Sequence, residues 1–201
     1  MLSQLPKIDI SDKIVIIGYS GSGKTYLLDY IMNTQLNNIS PIYVIDTVNR
    51  FSKVPSYNYS GITECINKRK NKTCIKIHTE LQLEKFISYL NHKKEQFFLC
   101  VDEIDRYTNT NNLLTETKLY LEEGRNFNRG GIFTIRRVGF LNKSILGNSH
   151  YLFLFKLLIK TDIEYLSYIT GINLFELEFH NEHSFYVIDL HLSQILGEYI
   201  V

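Results

Sequence analysis

One segment constrains the fold of this chain more than any other, and it reads Gly18-Tyr19-Ser20-Gly21-Ser22-Gly23-Lys24-Thr25. An apolar run, Ile14 to Ile17, precedes it, and apolar residues at helical spacing follow it from Tyr26 to Met32. Glycines in such a loop let several backbone N–H groups point at one anion, and the helix N-terminus adds partial positive charge. The sequence therefore predicts a phosphate-binding loop between a strand and a helix. The expected nucleotide-binding residues are Ser20, Gly21, Ser22, Gly23, Lys24, Thr25 and Tyr26.

A second segment predicts a buried strand that begins near Phe97 and ends in two acids, Asp102 and Glu103. In open parallel sheets, ligands bind at the carboxyl ends of the strands, which places these acids beside the loop. Lys24 is expected to reach the β- and γ-phosphates, and Thr25 and Asp102 are expected to hold Mg²⁺. Glu103 would orient and deprotonate the attacking water, which predicts hydrolysis rather than transfer to a second substrate. Taken alone, the two acids are equally consistent with a solvated rim of the sheet.

Length and composition limit these predictions. A chain of 201 residues suits one α/β domain, so we expect a single domain over residues 1–201 with its core from about 13 to 190. The formal net charge of +1 does not indicate a nucleic-acid binder, so any DNA contact must come from a local patch. No apolar run approaches the ~20 residues of a membrane span, and the N-terminus lacks the pattern of a signal peptide. Cys65, Cys74 and Cys100 form no metal-type pair and are expected to be reduced.

Strand-like and helix-like segments alternate, which predicts the α/β class: one P-loop NTPase domain with a mostly parallel sheet between helices. The stretch from Val48 to Asn71 is expected to be mostly loop, and the chain from Phe175 to Leu190 is expected to form a hairpin that turns at Asn181-Glu182. The other expected strands cover 41–46, 73–78, 96–101, 132–138 and 151–155, and the other expected helices cover 113–123, 162–170 and a segment with Leu83, Phe86, Ile87 and Leu90 on one face.

The nucleotide is expected to be ATP rather than GTP. A small GTPase reads guanine with an Asn-Lys-x-Asp motif, and the Asn-Lys pairs at 67–68, 71–72 and 142–143 are not followed by the required Asp. The expected cofactors are therefore ATP and Mg²⁺.

A run from Glu123 to Val138, followed by Ile145 to His150 and the apolar strand from Tyr151, resembles the FtsK–HerA superfamily of P-loop DNA translocases. In that family a Gly-Arg segment leads into a strand that ends in a Ser/Thr-Gln-Arg-Pro-like signature. Asp46 with Phe51 five residues on is also similar to the family's Asp-x-x-x-x-aromatic segment. The resemblance implies the RecA-like (ASCE) variant of the P-loop fold.

The small size resembles one branch best, the genome-packaging ATPases of tailless icosahedral viruses with an internal membrane, including archaeal ones. That resemblance implies a ring of five or six identical subunits that moves double-stranded DNA into a capsid by hydrolysing ATP. It also implies a capsid vertex or viral membrane protein as a partner, and a location in the host cytoplasm in association with the capsid.

The resemblance also assigns three arginines to catalysis. Arg136 occupies the place of the family's polar sensor Gln and Val138 that of its Pro, with Ile135 as an alternative occupant of the sensor place. Arg125 and Arg129 are the candidates for an arginine that completes a neighbouring subunit's site. Solvated loop arginines, or contacts to DNA phosphate, are the alternative interpretation of these two.

The one dense basic run contains Lys68, Arg69, Lys70 and Lys72, and it is a candidate for contacts to the DNA backbone. A solvated loop without function is the alternative interpretation of the same run.

Two other functions are consistent with these motifs. A P-loop kinase for nucleotides or small molecules would use Arg125, Arg129, Arg136 and Arg137 as a phosphate-clamping lid, although the pair of acids favours hydrolysis. A nucleotide-gated scaffold with vestigial hydrolysis is the third possibility.

Overall fold

Nine strands form a single sheet in the computed structural model, which describes residues 2–39, 41–46, 50–51, 53–61, 66, 71–93, 95–108 and 110–201. The strands are β1 (Lys13–Ile17), β2 (Ile42–Ile45), β3 (Ser56–Asn58), β4 (Lys72–Lys76), β5 (Phe97–Val101), β6 (Arg129–Ile135), β7 (Tyr151–Phe155), β8 (Ser184–Asp189) and β9 (Gln194–Ile200). The helices are α1 (Lys24–Thr34), α2 (Glu80–His92), α3 (Thr115–Glu123), α4 (Lys143–Gly147) and α5 (Lys160–Thr170).

The order of the strands positions the site. It runs β3-β4-β2-β5-β6-β1-β7-β8-β9, with β1 to β7 parallel and β8 and β9 antiparallel. Because the parallel strands share one direction, their carboxyl ends meet at one edge of the sheet. β6 lies between β1 and β5, so residues at its carboxyl end stand between the phosphate-binding loop and the two acids.

Alternate residues of the buried strands face two separate cores, as the period of a strand requires. On β1, Ile14 and Ile16 pack in a core that contains Leu27 and Ile31 of α1. The other face of the sheet contacts α2, α3, α4 and α5 through a core that includes Val15 and Ile17 of β1. The predicted mostly parallel sheet with helices on both faces is therefore confirmed.

The structure differs from the sequence prediction at several elements, of which the hairpin, β6 and one added strand differ most. The C-terminal hairpin is present, but it turns at residues 190–193 rather than at Asn181-Glu182, and it extends beyond residue 190. β6 begins at Arg129, three residues before the expected start, because the Gly130-Gly131 backbone pairs with β5. A short edge strand, β3, lies within the stretch expected to be mostly loop.

Smaller expectations are resolved within the described residues. Cys74 and Cys100 are buried free thiols, and Cys65 lies outside the described residues. Across the described ranges, none of the helices has both the length and the apolar character needed to traverse a bilayer.

Candidate active site

The phosphate-binding loop connects β1 to α1, as the sequence predicts. Gly21 has φ 90° and Gly23 has φ 110°, a left-handed conformation that side-chain-bearing residues rarely adopt. Gly23 is the N-cap of α1, whose first residue is Lys24, so the loop leads directly into the positive end of the helix. The loop therefore has the backbone conformation and the helix position that binding a phosphate requires.

Lys24 lies folded against its own loop. Its Nζ donates hydrogen bonds of 2.8 Å to the Gly18 carbonyl and 2.7 Å to the Tyr19 carbonyl, and the side chain is 6% exposed. Burial lowers the pKa of Lys24 to about 8, although the charges of Asp102 and Glu103 oppose the shift. A phosphate anion beside Nζ would raise this pKa again.

The two acids follow β5 directly, where the sequence places them, and both are buried. Thr25 Oγ1 lies 3.4 Å from Asp102 Oδ1 across the gap between α1 and β5. Thr134, at the carboxyl end of β6, donates a 2.7 Å hydrogen bond to that same Oδ1 and accepts one of 2.8 Å from the Glu103 N–H. The strand between β1 and β5 therefore holds both acids in place.

Glu103 has a left-handed backbone, with φ 58° and ψ 60°. Residues other than glycine rarely adopt this conformation, and a cost of roughly 1–3 kcal/mol is typical of such positions. The strained backbone starts the turn at Ile104–Arg106 and keeps the Glu103 carboxylate beside the loop instead of along the strand axis. Backbone strain at a candidate general base is consistent with an active site, because strained residues cluster at such sites.

Three guanidinium groups surround the Glu103 carboxylate. Arg106 Nε lies 2.5 Å from Oε2, and Arg136 Nε and Arg50 Nη2 lie 3.6 Å and 3.3 Å from Oε1. Arg136 also has Nη2 3.8 Å from Asp105, and burial raises the pKa of Asp105 against the influence of that arginine. The predicted placement of Arg136 next to the site is observed.

Arg50 was not singled out from the sequence. Its Nη1 lies 2.7 Å from Asp102 Oδ2 and 3.4 Å from Thr25 Oγ1. The available signal was the Asp-x-x-x-x-aromatic segment, because the Phe51 N–H donates a 3.1 Å hydrogen bond to Asp46 Oδ2 and both of these residues are buried. That bond holds Phe51 beside the end of β2, and Arg50, the residue before it, contacts both acids.

Two cavities adjoin at this edge. One of about 240 Å³ borders the phosphate-binding loop and both acids, and we call it the triphosphate cavity; a second of about 400 Å³ is more apolar. The first is lined by Ser20, Gly21, Gly23, Lys24, Thr25, Tyr26, Arg50, Asp102, Glu103 and Arg136. The second is lined by Tyr19, Ser20, Asp105, Arg136, Arg137, Phe140, Leu157, Leu158, Ile159 and Asp162.

The two candidates for a trans-acting arginine lie near the opposite edge of the sheet. Arg129 starts β6 and is 5% exposed, with Nε donating to the Glu95 carbonyl and Nη1 and Nη2 donating to Asn91. Its guanidinium therefore hydrogen-bonds within the chain and joins β6 to the end of α2. The structure does not support Arg129 as an arginine that reaches the site of another subunit. Arg125 is exposed, in the turn Gly124–Phe127, and remains a prediction.

The candidate DNA-binding run is described only at its end. Lys68, Arg69 and Lys70 lie outside the described residues. Lys72 begins β4, at the amino edge of the sheet, where Nζ donates to Asn33 Oδ1 and Asn37 Oδ1 at 3.1 and 3.3 Å. DNA binding by this run stays a prediction.

Comparisons with solved structures identify the fold. No protein-family model and no curated protein sequence matches the chain. The genome packaging NTPase B204 from Sulfolobus turreted icosahedral virus 2, in complex with ATP-gammaS, is 20% identical with a TM-score of 0.78, over 94% of this chain and 96% of that chain. The DNA-packaging ATPase B204 from Sulfolobus turreted icosahedral virus is 18% identical with a TM-score of 0.76, over 96% of this chain and 100% of that chain.

A solved structure of lower sequence identity has a similar fold. VirB4 of Thermoanaerobacter pseudethanolicus is 10% identical with a TM-score of 0.64, over 96% of this chain and 92% of that chain. At such identities the likeness is one of fold. The chain has the fold of these proteins, so the P-loop fold that the sequence predicts is confirmed.

Proposed function

We propose that this chain is a genome-packaging ATPase of the FtsK–HerA superfamily, an oligomeric motor that hydrolyses ATP to move double-stranded DNA into a viral capsid. The observation that carries the proposal is the strained, buried Glu103 beside the phosphate-binding loop, with Asp102 and Thr25 next to it. The likeness in fold to the B204 packaging NTPases supports the same assignment.

The donor set fits Mg²⁺. Thr25 Oγ1 and Asp102 Oδ1 are 3.4 Å apart, and both are hard oxygen donors of the kind that Mg²⁺ prefers. A cationic group, the Arg50 guanidinium, contacts both residues, which supports the assignment of a cation to this place. Bound Mg²⁺ would neutralise charge on the β- and γ-phosphates.

The chain's own residues supply the remaining steps. The loop N–H groups and Lys24 would bind the phosphates, with Lys24 exchanging its two loop carbonyls for phosphate oxygens. Glu103 would accept a proton from the attacking water. Arg136, which borders the triphosphate cavity and contacts Glu103, would orient that carboxylate and stabilise charge developing on the γ-phosphate.

The placement of the arginines favours hydrolysis over the kinase alternative. A four-arginine lid would need Arg125 and Arg129 beside Arg136 and Arg137. Only the last two line the cavity next to the loop, whereas Arg129 lies at the amino edge of the sheet. The clamp expected of a kinase is therefore not assembled in the described structure.

The assembly and its location complete the proposal. We propose a ring of five or six subunits in the host cytoplasm, in association with the capsid, with a capsid vertex or viral membrane protein as its partner. The predicted DNA contacts through Lys68, Arg69, Lys70 and Lys72 belong to this proposal. Molar mass in solution with and without a non-hydrolysable ATP analogue tests the ring.

Steady-state ATP hydrolysis with and without double-stranded DNA tests the function, with Glu103→Gln as the matched control. We expect DNA to stimulate the wild type, and the control to bind ATP while losing turnover by about a hundredfold or more. Hydrolysis that ignores DNA, or that requires a small phosphoryl acceptor, would favour the kinase alternative.

A further inference from the structure

The Arg50 guanidinium lies among the oxygen atoms to which the proposed function assigns Mg²⁺ and the attacking water. Nη1 is 2.7 Å from Asp102 Oδ2 and 3.4 Å from Thr25 Oγ1, and Nη2 is 3.3 Å from Glu103 Oε1. Arg50 thus joins the candidate metal ligands to the candidate base, and Arg106 and Arg136 contact Glu103 from other positions.

We propose that Arg50 competes with the divalent cation for Asp102 and Thr25, so that Mg²⁺ enters the site by displacing the guanidinium. This inference rests on the proposed function, because it takes Thr25 and Asp102 as the residues that hold the metal. It assigns to Arg50 the role of an internal cation that neutralises the two buried acids until Mg²⁺ arrives with the nucleotide.

Electrostatic repulsion disfavours simultaneous contact of both cations with Thr25 and the Asp102 carboxylate. An arginine stays protonated at any pH that a protein tolerates, so Arg50 cannot relieve the repulsion by losing its proton. Mg²⁺ binds oxygen at about 2.0–2.1 Å, and the Arg50 guanidinium lies within hydrogen-bond distance of the same carboxylate. The positive groups would repel each other while sharing one carboxylate.

The Arg50 side chain can move away from the two acids without a change in the backbone. This side chain is 38% exposed, whereas those of Asp102 and Glu103 are 4% and 7% exposed, so the arginine can turn toward solvent while the acids stay in place. The next residue, Phe51, is anchored by its hydrogen bond to Asp46, so the backbone beside Arg50 is held while the side chain moves. Displacement then needs rotations about side-chain bonds and no rearrangement of the sheet.

Competition links cation binding to nucleotide binding. Without phosphates, Mg²⁺ must replace favourable contacts of Arg50 with only two protein ligands. With ATP, the phosphate oxygens add ligands to the metal and negative charge that the freed guanidinium can contact, since Arg50 lines the same 240 Å³ cavity. The exchange therefore favours metal that arrives with nucleotide.

Mn²⁺ binding without nucleotide, measured by electron paramagnetic resonance, tests the competition in wild type, Arg50→Ala and Arg106→Ala. Arg106→Ala is the matched control, because it removes one positive charge whose close contact is with Glu103. We expect Arg50→Ala to bind Mn²⁺ about fivefold to tenfold more tightly than wild type, and Arg106→Ala to change the affinity less than about twofold.

Thermal unfolding gives a second measurement on the same proteins. Mg²⁺ alone should raise the Tm of Arg50→Ala more than that of wild type, because at one ligand concentration the folded state is stabilised more by a ligand that binds it more tightly. Arg50→Gln, which keeps side-chain length without the charge, repeats both measurements and replaces the alanine variant if that variant does not unfold cooperatively.

Equal Mn²⁺ affinity in Arg50→Ala and wild type would overturn the proposal. So would an equal gain in Arg106→Ala, because the effect would then be general electrostatics rather than competition for one place. Neither measurement uses ATP hydrolysis or DNA. A motor that fails to respond to DNA would therefore overturn the proposed function while leaving the competition at Arg50 measurable.

Discussion

The hydroxyl group of Thr134 joins the two acids of the site, since it donates a 2.7 Å hydrogen bond to Asp102 Oδ1 and accepts one of 2.8 Å from the Glu103 N–H. Thr134 is fully buried and lies on β6, the strand inserted between the loop strand and the strand of the acids. A single side chain thus holds the candidate metal ligand and the strained backbone of the candidate base together.

Thr134→Val should weaken both functions of this link. The isosteric change leaves the Glu103 N–H without its acceptor and Asp102 without a donor, which costs roughly 1–3 kcal/mol in the free energy of unfolding. We expect kcat to fall by about tenfold or more, because a barrier increase of ~1.4 kcal/mol suffices for that loss. Thr134→Ser keeps the hydroxyl and should retain most of the activity. Equal activity in the valine and serine variants would contradict this role.

Arg129→Ala and Arg125→Ala should separate stability from catalysis. Arg129 donates to the Glu95 carbonyl and to Asn91 from a buried position, so its loss should cost roughly 1.5–3 kcal/mol of unfolding free energy. Arg125 is exposed, so Arg125→Ala should leave Tm nearly unchanged, retain ATP binding and nearly abolish turnover. Denaturant unfolding and steady-state hydrolysis measure the two effects. Normal hydrolysis by Arg125→Ala would rule it out as the trans arginine.

Arg136→Ala should slow hydrolysis without weakening ADP binding. Arg136 contacts Glu103 and lines the triphosphate cavity, so its loss should lower kcat by about ten- to a hundredfold. The matched control is Arg137→Ala, because Arg137 pairs with Asp162 at 3.9 Å and does not line that cavity. Comparable losses in the two variants would mean that contact with Glu103 is not what matters.

The lowered pKa of Lys24 predicts opposite effects of pH on binding and on stability. Nearby phosphates should raise this pKa again, so above pH 8 binding must take up a proton and affinity should fall by up to about tenfold per pH unit. Stability contributed by this group should instead rise between pH 8 and 10.5, because there the unfolded chain binds more protons than the folded one.

Titrations with a fluorescent ADP analogue at pH 7, 8 and 9 measure the affinity, and thermal unfolding at the same pH values measures the stability. Lys13 has its pKa lowered to about 8 by burial and by Arg125, so it adds to the effect on stability but lies at the other edge of the sheet. Lys24→Arg keeps a permanent charge and should remove the pH dependence of binding. Flat wild-type affinity over this range would contradict the assignment.

Features formed by consecutive residues could be predicted from the sequence, because residues that are adjacent in the chain are also adjacent in space. The loop from Gly18 to Thr25 lies in one turn, and Asp102 and Glu103 end one strand, so their chemistry was visible in the residue order alone. The hairpin turn was placed wrongly because Asn181-Glu182 is a good local turn signal. In the structure, β8 begins only after that signal, at Ser184, pairs with β7 on one side, and turns into β9 at residues 190–193.

The roles of the arginines could not be predicted in the same way. The edge of the sheet at which an arginine lies depends on where the neighbouring strand begins and ends. Arg129 and Arg136 are seven residues apart, yet β6 spans the sheet between them and carries one to the amino edge and the other to the active-site edge. Arg50 lacked any local signal of its own. Its place over the acids depends on the bond between Asp46 and Phe51 and on β2 lying next to β5.

The sequence by itself determined the α/β class, the phosphate-binding loop, the acids that end β5 and the residues expected to bind ATP and Mg²⁺. These follow from backbone conformation, strand burial and ligand chemistry, which act over a few residues. The tertiary structure alone decided that β6 separates β1 from β5, that Thr134 joins the acids, that Arg129 is a buried structural contact and that Arg50 contacts Thr25 and Asp102. The reason is that strand order and side-chain reach depend on how distant segments pack against one another.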